Sequence, residues 1–216
     1  MESDKLIVGL EAIQDPHNLG AILRSCLFFG VSKVIVPNHN SCPLSPTVSK
    51  VSVGALEEMD VYSSQGGDLR QLIESSPNLS KRVVVGTSSP PPLTKAQQKI
   101  EKIDISKYWS SYDIGDGLHR IKKKKNNNND QRREGNNNRQ RRRRDDGTLL
   151  LFGNEGNGLT KNLLQSCDLV TFIPSSTENS KSYQHTMNKN RNIELLDSLN
   201  VSVSAGIIIS QLSRYV

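Results

Sequence analysis

Cysteine is scarce: Cys26, Cys42 and Cys167 are odd in number and far apart. That usage suits neither a disulfide framework nor a zinc site with closely spaced ligand pairs, so a reducing, intracellular setting and no metal are expected. Long apolar runs are missing too. No stretch approaches the about 18 uncharged apolar residues of a membrane-spanning helix, and no membrane partner is expected. Met1 to Lys5 leads almost directly into a strand-like run, leaving no room there for a signal or transit peptide. The expectation is that the chain acts where it is made or that an N-terminal region precedes it. Aromatic residues make up only 5% of the 216 positions and apolar residues 34%. Even with glycine added, this stays below the about 45–50% of a typical globular domain, so part of the chain is expected to lie outside any core.

The charge distribution locates that part. The chain carries 28 Lys and Arg against 22 Asp and Glu, a formal +6. Between His119 and Asp146 stand 12 basic residues (Arg120, Lys122 to Lys125, Arg132, Arg133, Arg139, Arg141 to Arg144) and four acidic ones. The remainder is therefore slightly acidic, and the basic pI describes one insert and not the folded body. Residues 115–147 are rich in Asn, Lys and Arg. Such a composition buries too little apolar area to offset its ordering entropy, so a disordered insert is expected there. A second polar stretch, 175–191, reads as an exposed loop.

Elsewhere strand-like and helix-like segments alternate. Leu6 to Ile13, Lys33 to Pro37, Val61-Tyr62, Arg82 to Thr87, Thr148 to Phe152 and Leu169 to Ile173 read as strands. Helical patterns fall at Asn18 to Phe29, within Ser45 to Met59, at Asp68 to Ser75, Thr160 to Cys167 and Ser198 to Arg214. This alternation predicts an α/β domain with a mainly parallel sheet covered on both faces. The last helix is apolar on more than one side, as if buried against both the sheet and a second subunit.

Three segments could carry chemistry. In Asp15-Pro16-His17-Asn18-Leu19-Gly20-Ala21-Ile22-Leu23-Arg24 a strand turns into a helix, with Asn18 near its start and Arg24 six residues on. An ordinary helix cap followed by a solvated Arg would read the same way. In Gly153-Asn154-Glu155-Gly156-Asn157-Gly158 three glycines after an apolar strand allow a sharp turn and a close backbone approach to a ligand. Their spacing is not the dinucleotide-binding GxGxxG, and Glu155 would repel a pyrophosphate, which speaks against an oxidoreductase. A plain strand-to-helix turn is the simpler reading. In Ser198-Leu199-Asn200-Val201-Ser202 polar residues open an otherwise apolar helix. Capping explains one of them, but not also the others.

Taken in this order, at the ends of strands, the three segments resemble the three signature motifs of the SpoU (TrmH) branch of the SPOUT RNA methyltransferases. Residues Asn40 to Tyr62 (NSCPLSPTVSKVSVGALEEMDVY) look like the stretch between the first two motifs in the mitochondrial ribosomal-RNA members of that family. The resemblance covers roughly Leu6 to Thr87 and Thr148 to Leu212. It implies an α/β fold of the SPOUT type, its C-terminal part threaded into a deep trefoil knot, spanning 1–216 as a single catalytic domain without the separate N-terminal RNA-binding domain of many relatives. It implies S-adenosylmethionine as cofactor, held by Gly153, Asn154, Glu155, Gly156, Ile173, Pro174, Ser198, Leu199 and Asn200. It further implies a homodimer and methyl transfer to a ribose 2′-hydroxyl of RNA, ribosomal RNA and guanosine first among the targets, in the mitochondrion or otherwise the cytoplasm. Arg24, Asn18, Glu155, Ser198 and Asn200 would be the catalytic residues. A guanidinium, with a pKa above about 12, is a poor general base, so Arg24 either takes that role under strong activation or holds a phosphate and stabilises the alkoxide. From a different class, a SPOUT-like RNA-binding dimer without catalysis would share the same fold. The basic insert is either a phosphate-binding tail or a loop with no role.

Overall fold

The computed structural model describes residues 5–38, 40–64, 68–89, 104–131, 147–154, 156–174 and 199–216. Among the described residues, seven short strands carry the architecture: β1 (Leu6–Leu10), β2 (Lys33–Pro37), β3 (Asp60–Ser64), β4 (Val83–Thr87), β5 (Tyr108–Ser110), β6 (Thr148–Phe152) and β7 (Leu169–Phe172). They form one sheet in the order β3-β2-β1-β6-β4-β7-β5, and every pair in it is parallel. The sequence predicts a mainly parallel sheet; the described one is parallel throughout, and helices cover both faces as that pairing requires.

Side-chain alternation along the strands produces two cores. Leu6, Val8 and Leu10 of β1, Val83 and Val85 of β4 and Leu150 and Phe152 of β6 point to one face. Ile7, Val84, Leu149 and Leu151 point to the other. The first face packs under α1 (Pro16–Phe28), α2 (Pro46–Ser52), α3 (Ala55–Glu58), α5 (Ile114–Gln131) and α7 (Val201–Leu212). The second packs under α4 (Leu69–Ser75) and α6 (Lys161–Ser166).

Local chemistry sets the helix limits. The carboxylate of Asp15 accepts the amide N–H of His17 at 2.9 Å, Pro16 occupies the first turn, and α1 starts there. Leu19, Ile22, Leu23 and Cys26 give α1 a buried stripe at helical spacing. At Gly20 the helix lies so close to α2 that a Cβ would sit 2.7 Å from that of Val51. The single helix expected within Ser45 to Met59 is two, because Val53 and Gly54 both take left-handed backbone (φ 55° and 86°) and turn the chain between α2 and α3.

The largest departure concerns the basic insert. Residues 114–131 are not disordered but form α5, whose Ile114 and Leu118 are fully buried and whose Ile121 packs against the same core. One turn beyond that stripe, Lys125 ties the helix to the sheet, its Nζ donating at 2.8 Å both to Asp168 Oδ2 and to the carbonyl of Arg82. The Arg120 guanidinium lies 5.3 Å over the Trp109 ring. The expected disorder of residues 132–146 and the loop at 175–191 lie outside the described residues. So does the chain over 175–198, and the expected knot is not shown among the described residues.

Candidate active site

The sheet has a topological switch point. The chain leaves β1 toward β2 on one side, and leaves the adjacent strand β6 toward β7 on the other. Open α/β sheets bind ligands in the crevice beyond the carboxyl ends of two such strands. The first segment follows β1 and the second follows β6, so the register of Leu10 opposite Phe152 brings them side by side.

The glycine loop is closed on itself. Asn154 and Gly158 exchange main-chain hydrogen bonds at 3.1 and 2.9 Å, and the Asn154 Oδ1 accepts the amides of Gly156 at 2.8 Å and Asn157 at 3.4 Å. A Cβ on Gly153 would overlap the backbone of Gly158 and Leu159, so only glycine fits at the loop's entry. The Asn154 Nδ2 then donates across the crevice to the carbonyl of Ala12 at 2.9 Å.

The third segment reaches the same place from the opposite end of the chain. Asn200 caps α7, its Oδ1 accepting the amide of Ser202 at 2.8 Å and the Ser202 hydroxyl at 2.6 Å. Its Nδ2 donates to the Oδ1 of Asn18 at 3.0 Å. Asn18 is buried in the first turns of α1, while Asn200 stays exposed. Leu199 beside it is also exposed, 47% of its surface being accessible.

Not every expected residue joins this cluster. Ile173 and Pro174 are half-buried beyond the end of β7, which β4 separates from β6. Arg24 lies about 9 Å further along the axis of α1 than Asn18, at 1.5 Å per residue. It is exposed and makes no hydrogen bond or ion pair among the described residues. Glu155 and Ser198 lie outside the described residues. Sequence reasoning missed Glu11, Ala12 and Thr160, which the fold sets against the glycine loop. The one signal was a carboxylate directly after an apolar strand.

The electrostatics of the described residues narrow the chemistry open to the chain. The His17 backbone amide, more than the nearby imidazole, holds the Asp15 carboxyl below its ordinary range. Burial pushes the Cys26 thiol up, and burial together with Asp168 pushes that of Cys167 up to about 12. Burial and the neighbouring Asp15 also raise Cys42. None of these thiols is a thiolate nucleophile at neutral pH. Among the described residues no three His, Cys, Asp or Glu side chains gather as a metal site would require, and no helix is long and apolar enough to cross a membrane.

An all-parallel sheet with a glycine loop and two joined asparagines at its switch point defines an α/β protein whose polar side chains gather where such sheets bind ligands. The chain belongs to the SpoU rRNA Methylase family, whose model matches residues 5–183 and so contains the first two segments. It is 33% identical over 209 residues to the protein named rRNA methyltransferase 1, mitochondrial, of Homo sapiens, covering 96% of this chain and 45% of that one. With the 23S rRNA (guanosine-2′-O-)-methyltransferase of Xylella fastidiosa it shares 25% over 209 residues, 97% of this chain and 58% of the relative. The chain thus spans about half the length of these curated relatives. Among solved structures, the SpoU methyltransferase AviRb of Streptomyces viridochromogenes in complex with AdoMet has the same fold, with a TM-score of 0.60 at 21% identity over 99% of this chain and 61% of that one.

Proposed function

We propose that residues 1–216 form the catalytic domain of an S-adenosylmethionine-dependent RNA 2′-O-ribose methyltransferase acting on a guanosine of ribosomal RNA, in the mitochondrion. The observation that carries this reading is the convergence of all three segments on one crevice, with Asn200 bonded to Asn18 and Asn154 bonded to Ala12. Membership of the SpoU family supports the chemistry, and the mitochondrial rRNA methyltransferases among the relatives support the target and compartment.

The residues present suit this cofactor. The crevice offers neutral amide edges and a loop of glycines, which match an uncharged adenosine, and among the described residues it lacks the cation cluster a phosphate would demand. When bound, S-adenosylmethionine supplies the methyl group. Gly153, Asn154, Glu155 and Gly156 would line one side of it, and Ile173, Pro174, Ser198, Leu199 and Asn200 the other. Asn18, with Glu155, Ser198 and Asn200, would orient the ribose so that its 2′-oxygen stands about 3 Å from the carbon it attacks. Arg24, charged and free of any protein partner among the described residues, would hold the adjacent phosphate and stabilise the oxygen as its proton leaves through Glu155 or water.

Two surfaces extend the reading to partners. Arg120, Lys123 and Lys124 are exposed on α5 and form a cationic face suited to an RNA backbone. Leu27 and Phe28 of α1 and Val203 of α7 are exposed apolar side chains on helices that pack together, and they support a homodimer through that face. Labelled S-adenosylmethionine with ribosomal RNA transcripts, followed by digestion to nucleosides, tests the function. A 2′-O-methylguanosine product is expected. RNA binding without methyl transfer would instead favour the non-catalytic RNA-binding dimer.

A further inference from the structure

The end of β1 grips the glycine loop at two points. Immediately after Leu10, the Glu11 amide donates to the carbonyl of Phe152, the last residue of β6, at 2.7 Å, which carries the β1–β6 pairing one residue past the end of β1. The Glu11 carboxylate then takes both donors of one residue: Oε2 accepts the Thr160 amide at 2.8 Å and Oε1 accepts the Thr160 hydroxyl at 3.0 Å. Ala12, the next residue, stands in left-handed backbone at φ 55°. That region is unfavourable for a residue with a Cβ, and Ala12's carbonyl is held there by Asn154. Consecutive residues of one strand end therefore fasten the loop at its entry, Asn154, and at its exit, Thr160. Four residues after Ala12, the same segment begins the helix that carries Asn18 and Arg24.

The internal fold of the loop does not need this grip, because Asn154 and Gly158 already close it. What Glu11 fixes is where the loop stands relative to α1. Thr160 sits at the start of α6 yet caps nothing with its own side chain; its hydroxyl is given to Glu11. We propose that Glu11 is a positioning residue for methyl transfer, holding the cofactor loop in register with the helix that presents Asn18 and Arg24. This inference rests on the function proposed above. The physical reason is that a displacement of about 1 Å between reacting groups costs on the order of 100-fold in rate.

The test uses the full chain and two readouts, one free of cofactor. By hydrogen exchange on the ligand-free protein, Glu11→Ala is expected to speed exchange in residues 153–160 at least about tenfold. Glu11→Gln restores protection, since its amide can accept from the Thr160 N–H and donate to the Thr160 hydroxyl. In the transfer assay Glu11→Ala is expected to lower kcat about 10- to 100-fold with a smaller rise in the KM for S-adenosylmethionine, and Glu11→Gln to recover most of kcat. Thr160→Val, which keeps shape and the backbone donor, is expected to lower kcat a few-fold on its own and to add little to Glu11→Ala. Unchanged exchange and kcat in Glu11→Ala, or equal losses in the Ala and Gln variants, overturns the assignment. A wild-type chain that binds no cofactor counts against the proposed function, while the exchange readout still decides whether Glu11 holds the loop.

Discussion

Asn200 and Asn18 are 182 positions apart in the chain and share one hydrogen bond of 3.0 Å, from the Asn200 Nδ2 to the Asn18 Oδ1. The bond couples two helix starts: Asn200 caps α7, and Asn18 lies in the first turns of α1. One side chain thus closes the C-terminal helix and ties it to the crevice beside β1. Asn200→Ala removes the cap and the cross-link together and is expected to cost about 1–2 kcal/mol in urea unfolding. Asn200→Ser keeps a capping oxygen and loses only the link to Asn18. It is expected to retain most of the stability yet bind S-adenosylmethionine as weakly as the Ala variant.

Arg24 is outside this bonded cluster, and that separation gives its variant a distinct signature. Arg24→Ala is expected to leave stability and cofactor affinity within error of wild type and to reduce methyl transfer at least about 100-fold. Parallel calorimetry and single-turnover transfer assays would show it; a fully active variant would remove Arg24 from the catalytic set.

The glycines of the second segment are not equivalent. Gly153→Ala forces a methyl group into the backbone of Gly158 and Leu159 and is expected to cost about 3 kcal/mol with loss of cofactor binding. At Gly156 the nearest atom to a Cβ would be the Asn154 Oδ1 at 3.5 Å, ordinary contact, so Gly156→Ala is expected to fold as stably as wild type. Thermal unfolding of the two variants separates them.

An asymmetric ion pair adds to the apolar docking of α5. Asp168 Oδ2 accepts from Lys125 Nζ and also from the Val84 amide at 2.9 Å, within the sheet. Asp168→Ala therefore strands a strand amide and is expected to cost about 2 kcal/mol. Lys125→Ala, which removes a half-exposed partner, should cost under about 1 kcal/mol. Chemical denaturation of both variants gives the order.

Asp15 makes a pH prediction. Its carboxyl is held below its ordinary value of 3.8, chiefly by the His17 amide. A group whose pKa is lowered by folding contributes stability above its unfolded value and loses it as the pH falls through its folded value. The stability difference between wild type and Asp15→Ala is thus expected to be constant near neutrality and to shrink below about pH 4. A difference that grows on acidification would contradict the cap.

Much of the fold is legible in the amino-acid pattern alone. Short apolar runs bounded by turn residues mark β1, β2, β4, β6 and β7, and the helical pattern read from Asn18 marks α1, whose cap at Asp15 and first turn at Pro16 lie just before it. Two features escape such a reading, each for a physical reason. Residues 115–131 average as strongly polar, but the stripe Ile114, Leu118, Ile121 recurs at helical spacing and is enough to dock α5. Counting the insert from Gly115 cuts that stripe from its first member. β5 is only three residues long and sits at the sheet's edge, too short for alternation to register. At the site, Asn18 and Asn200 stand out as polar residues at helix starts. The grip of Glu11 on Thr160 does not, because it depends on β6 lying beside β1, a neighbourhood that no local pattern encodes.

The claim everything else depends on is that the three segments make one cofactor site. Calorimetric titration of the folded chain with S-adenosylmethionine addresses it most directly. Saturable binding at one site per chain is expected, weakened at least about tenfold by Asn200→Ala and by Gly153→Ala alike. No binding by the folded wild-type chain, or binding that neither substitution weakens, would contradict it.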